Sequence, residues 1–215
     1  MFLLGIGASA NYEGQVQQRD SGINRGEVDD PAAYVRVYRE ATLSVLNELS
    51  DLAIANLIRI LDEARGRQQH IFVCGNGGSA ATASHLAAGL AHEGSRGLQP
   101  RFRISSLTDN IPWITSLAND IAYADIFIEQ LKNLGRSGDV LLAFSGSGNS
   151  PNVLRAIEWA NQADLVTVGI TGRPGGQLAA MAQHTVIVES SHIGRIEEGH
   201  FLIQHLVSYY FAEKR

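Results

Sequence analysis

The sequence predicts a doubly wound α/β fold, a five-stranded parallel sheet flanked by helices and preceded by a long N-terminal helix. Short runs rich in Val, Ile and Leu alternate with stretches of helical periodicity along most of the 215 residues. The runs are continuously apolar, as strands covered on both faces are. Several of them also empty into turns built of glycine and serine, as strand-to-helix connections in such sheets do.

Taken in order, residues 1–30 are polar and Gly-rich after the opening MFLLGIGASA and show no sustained period. They read as a flexible N-terminal arm. Ala8-Ser9-Ala10 mimics a cleavage site, but a basic leader and a long enough apolar run are missing. Asp30 suits a cap and Pro31 a first helical position, and one long helix is expected from there to residue 67. Its many apolar residues, among them Val37, Leu43, Leu46, Leu57 and Leu61, exceed what one small sheet covers, so part of it is expected to pack on another subunit. Strands are expected at 70–74, 102–107, 140–144, 165–170 and 185–188. Helices are expected near 80–93, 111–133, 151–162, 177–183 and 195–213. Residues 31–215 thus read as a single domain.

Composition narrows the partners. Seventeen Lys and Arg against twenty-two Asp and Glu, with no basic run, argue against nucleic acid. No apolar stretch reaches the roughly 18 residues of a membrane span, so no membrane partner is expected. The one cysteine, Cys74, excludes an intrachain disulfide framework and fits a reducing, cytoplasmic setting.

Two strand ends carry the chemistry. The first strand runs into Asn76, Gly77, Gly78 and Ser79, and the third into Ser145, Gly146, Ser147, Gly148, Asn149 and Ser150, with Pro151 opening the next helix. Glycine lets backbone N–H groups approach an anion, serine adds hydroxyl donors, and the helix start contributes its dipole. Thr171 begins a third turn, Thr171-Gly172-Arg173-Pro174-Gly175-Gly176. Without a lysine these loops suit a phosphomonoester better than a triphosphate. Gly75-x-Gly77-x-x-Ala80 also meets the loose dinucleotide pattern, with Asp109 after the next strand. That acid, however, lies farther along than the pattern places it, and the serine-rich loop has no role in it. Glu197 and Glu198 lie eight and seven residues before His205 and share a broad helix side with it, while His85 lies in the helix after the first loop. His with carboxylate equips a site for acid–base work or zinc. The same residues also suit an acidic first turn and an interfacial histidine.

In sequence order, GNGGSAATASHLAAGL, SLTDN, SLANDIAYADIF, GDVLLAFSGSGNSPNVLRAIEWA, TGRPGG and RIEEGHFLIQH resemble the sugar isomerase (SIS) domain family, in its phosphoheptose isomerase branch, over roughly residues 33–212. The resemblance implies a flavodoxin-like sheet, a homotetramer with sites at subunit boundaries, and aldose–ketose isomerisation of sedoheptulose 7-phosphate, often with zinc. By position it implies a sugar-phosphate pocket from Asn76, Gly77, Gly78, Ser79, Ser145, Gly146, Ser147, Asn149, Ser150 and Thr171, lined by Asp109, Asn119 and Asp120. It implies Glu197 and His205 as catalytic base and acid, and His85, Glu197 and His205 as metal ligands. Two positions depart from the family pattern: Gly89, one turn after His85, stands where active relatives carry an acid, and Gly194 where many carry an acid or amide. Restoring the acid with Gly89→Glu is expected to raise zinc affinity and activity. The departures keep a second reading open, a non-catalytic SIS protein that senses a sugar phosphate or binds a protein partner such as a replication initiator.

Overall fold

Apolar runs flanked by helices on both sides close into one parallel sheet in the computed structural model, which describes residues 28–214. The expected arm lies, but for its last three residues, outside the described residues. Helix α1 (Pro31–Asn47) starts as Asp30 and Pro31 predict, with the Asp30 carboxylate accepting the Ala32 N–H at 2.9 Å. The expected long helix then proves to be two. Ser50 caps a second helix, α2 (Asp51–Gly66), by accepting the Ala53 N–H. A serine side chain competes for backbone N–H groups and restarts a helix more readily than it continues one. The split matters for packing: α2 buries Ile54, Leu57, Leu61 and Ala64, a stripe at helical spacing, whereas α1 buries no residue.

The remaining elements are β1 (His70–Cys74), α3 (Gly78–Ala91), β2 (Arg103–Ser106), α4 (Ile111–Asp120), α5 (Ile128–Leu134), β3 (Val140–Ser145), α6 (Pro151–Gln162), β4 (Val166–Gly172), α7 (Gly176–Met181), β5 (His184–Val188) and α8 (Ile193–Glu213). The helix expected at 111–133 is broken into α4, a 3₁₀ turn at Tyr123–Asp125 and α5. All strand pairs are parallel and their order is β2-β1-β3-β4-β5.

Side-chain alternation sorts the core into two layers. Ile71, Val73, Val140, Leu142 and Phe144 pack with α2, α3 and α8, while Phe72, Cys74, Leu141 and Ala143 pack with α5, α6 and α7. The Cys74 thiol is fully buried, and burial pushes it up to about 12, so it stays protonated and inert. The strand order has a direct consequence for function. The chain leaves β1 toward β2 and then crosses back to β3, so the loops after β1 and β3 splay apart at a topological switch point. Ligands of open α/β sheets bind in that crevice.

Candidate phosphosugar site

The two loops that diverge at the switch point are the two that sequence singles out. After β1, Gly77 takes a φ of +55° and opens α3 with no side-chain cap bond to its first N–H groups. Ser79, in the first turn, is buried. After β3, Gly148 turns the chain at a φ of +64°, which only glycine adopts easily. The Ser145 and Ser150 hydroxyls lie 3.2 Å apart. Ser150 caps α6 by backbone conformation alone, with no side-chain cap bond. The loops therefore present hydroxyls and two helix starts, a neutral but positively polarised cradle suited to a phosphate.

Several expected ligand contacts turn inward. The Asn149 side chain donates to the Ser147 carbonyl at 2.9 Å and accepts the Gln177 N–H at 3.0 Å, so it braces the loop and the start of α7. Thr171 is fully buried, and its hydroxyl donates to the Gly172 carbonyl at 3.4 Å. The Asp109 carboxylate accepts from Ser84 on α3 and also lines an open groove of about 480 Å³ with Asn110, Pro112 and Trp113. Asn119 and Asp120 pair with each other at the exposed end of α4. Asn76 pairs with Asn152, and Tyr123 reaches the same amide. Neither Asn152 nor Tyr123 stands out in the sequence, because an asparagine in a first helical turn and a tyrosine in a loop carry no motif.

Helix α8 forms the third wall. Its first turn leans on both loops: a Cβ on Gly146 would meet Ile193 Cδ1 at 2.5 Å, and one on Gly78 would meet Glu197 Oε1 at 2.5 Å. The Glu197 carboxylate thus rests against the start of α3. Further along, α8 runs parallel to α3 in constant register. Gly78 faces Glu197, the His85 Nδ1 lies 3.4 Å from Gln204 Nε2, and Gly89 faces Ser208, each pair 119 residues apart. His85 and His205 meet edge to face with centroids 5.1 Å apart, beside Phe201.

This register sets where the expected metal trio of His85, Glu197 and His205 lies within one chain. Among the described residues no three His, Cys, Asp or Glu side chains gather closely enough to hold an ion. Glu197 and His205 lie two helical turns, about 12 Å, apart on one helix, and Glu197 is held at the far end, against Gly78. A zinc ion needs its donors at about 2 Å, so a single chain does not assemble this set.

A parallel sheet whose switch-point loops are rich in glycine and serine defines a doubly wound α/β protein with an open crevice between those loops. The SIS domain family model matches residues 33–172. The phosphoheptose isomerase of Desulfovibrio desulfuricans is 43% identical over 70% of this chain and 72% of its own length. That of Helicobacter pylori strain 26695 is 36% identical over 82% of this chain and 93% of its own. The solved phosphoheptose isomerase of Neisseria gonorrhoeae superposes with a TM-score of 0.79 at 28% identity, covering 86% of this chain and all of that one. The chain belongs to the SIS domain family, in its phosphoheptose isomerase branch.

Proposed function

We propose that the protein is an aldose–ketose isomerase that interconverts sedoheptulose 7-phosphate and the corresponding mannoheptose 7-phosphate. The observation that carries this reading is the pairing of the two serine-bearing loops with the histidines on α3 and α8. The phosphate sits against Ser79, Ser145, Ser147 and Ser150. The sugar chain then runs along α3, where the rise from Gly78 to His85 is about 10 Å. Binding energy from the phosphate orients the distant reacting carbons. A base removes the carbon-bound proton to give an enediol, and an acid returns a proton to the neighbouring carbon while the hydroxyl proton is shuttled. Glu197 and His205 fill these roles.

Because one α8 holds Glu197 and His205 two turns apart, both reach the same reacting carbons only when a second copy contributes one of them. A homo-oligomer with sites at subunit boundaries, a tetramer, is therefore part of the proposal. Zinc enters it only on the same terms, through ligands from two copies, and no step above depends on it. A cytoplasmic setting agrees with the single, buried and unreactive Cys74.

Incubation with sedoheptulose 7-phosphate, with and without zinc, followed by carbon NMR, is the test. Appearance of an aldose C1 resonance is expected. The packing of Gly89 against Ser208, which puts a glycine rather than an acid one turn after His85, favours a second reading, a sugar-phosphate sensor without turnover. Tight binding with no new resonance under either condition would establish that reading instead.

A further inference from the structure

The two phosphate loops are tied together by a pair of amides. Asn76 Nδ2 donates to Asn152 Oδ1 at 2.9 Å, and Asn152 Nδ2 donates back to Asn76 Oδ1 at 2.8 Å. Asn76 lies two residues past the end of β1, and Asn152 lies in the first turn of α6, so the pair spans the crevice at its base. Asn152 is 1% exposed. The orientation of both amides follows from backbone chemistry. The Val153 N–H, which can only donate, reaches Asn152 Oδ1 at 3.0 Å, so that atom is the oxygen. The atom of Asn152 facing Asn76 Oδ1 is then the nitrogen. The Tyr123 hydroxyl supplies a second donor to Asn76 Oδ1 at 3.0 Å.

An asparagine amide has two acceptor sites on oxygen and two donor hydrogens on nitrogen. At Asn76 both acceptor sites are filled, by Asn152 and Tyr123, and one N–H is spent on Asn152. One N–H remains. We propose that Asn152 and Tyr123 are positioning residues that lock Asn76 as a pure donor toward an oxygen of the bound sugar phosphate and join the two loops into one receptor. This rests on the phosphosugar reading of the crevice and adds the reason its first loop accepts only ligands that offer an acceptor there. Buried amide networks of this kind are effective when every member is satisfied, because a half-satisfied one rearranges.

The test is a double-mutant cycle read by calorimetric titration with sedoheptulose 7-phosphate, each variant first checked by thermal melting. Asn152→Ala should weaken binding about tenfold in the native background, the effect of misplacing one directed hydrogen bond. In an Asn76→Ala background the same change should have almost no effect, since the residue it positions is gone. Tyr123 is 57% exposed, so Tyr123→Phe leaves the fold intact and gives a second cycle. It should weaken binding about threefold with Asn76 present, as loss of one neutral hydrogen bond does, and leave it unchanged without Asn76. Native protein that binds no sugar phosphate would overturn the phosphosugar reading and this inference with it. Native protein that binds, with variants that bind equally well or lose the same affinity in both backgrounds, would overturn the positioning role alone.

Discussion

Gly89 looks in the sequence like a catalytic position that has lost its acid, and the structure shows what the glycine does instead. It lies where α3 meets α8, and a Cβ there would come 2.8 Å from the Ser208 hydroxyl and 3.3 Å from its Cβ. Gly89→Glu therefore does more than add a carboxylate one turn from His85. Overpacking of this kind costs about 1–3 kcal/mol, partly offset by about 1 kcal/mol of helix propensity. The single variant should lose about 1 kcal/mol in urea denaturation, and Ser208→Ala in the same chain should recover part of it. Any gain in isomerase activity or zinc affinity is expected in the double variant before the single one. Equal stability of Gly89→Glu and the native chain would show that the two helices part freely. A second residue gives a pH signature. His200 is fully buried, and burial pushes its imidazole from 6.5 down to about 4, against a smaller opposing pull from the Thr171 backbone. The unfolded chain binds this proton below pH 6.5 and the folded one does not. The stability held by the neutral ring is thus complete above pH 6.5 and falls as the pH drops toward 4, by about 3 kcal/mol at the limit. Denaturation midpoints between pH 7 and 4.5 should trace the loss, and an NMR titration placing His200 near 6.5 in the folded protein would sink the assignment.

Element boundaries decide which faces are buried, and the junction between α1 and α2 is the clearest case. Periodic apolar residues run through 31–67 without a Gly or Pro after Pro31 until Gly66, so pattern alone predicts one rod. Ser50 divides it by capping α2, and the division lets α2 dock on the sheet while α1 follows its own direction against α8. Ser50→Ala should cost about 1 kcal/mol of stability, the usual worth of such a cap. An unchanged urea midpoint would mean that packing of Leu49 on the core, rather than the cap, sets the break. The pairing of α3 with α8 carries the corresponding functional lesson. Sequence spacing puts Glu197 and His205 on one helix side, which is correct. Their constant register against α3 then assigns Glu197 to the start of α3 and His205 to His85, a distinction no spacing rule contains.

At the scale of the whole molecule, α1 has no buried residue, and Val35 and Leu43 on it are 60% and 52% exposed. Apolar surface of this extent on a helix is what subunit interfaces cover. Light scattering at micromolar concentration should find an oligomer, and Val35→Glu with Leu43→Glu should dissociate it and abolish any activity that needs residues from two copies. A native monomer that turns over sedoheptulose 7-phosphate would contradict both the assembly and the shared site. The sequence already carries the parallel α/β architecture, because apolar runs buried on both faces and helical periods are local patterns. It also marks the two glycine- and serine-rich loops after β1 and β3, because their composition at a strand end before a helix start is itself a local pattern. How these parts are used depends on the folded arrangement. The strand order brings the loops after β1 and β3 to one crevice, Asn152 and Tyr123 orient Asn76 across it, and the α3–α8 register separates Glu197 from the histidines. Each of these depends on contacts between residues distant in the chain, and such contacts leave no period or spacing in the sequence to read.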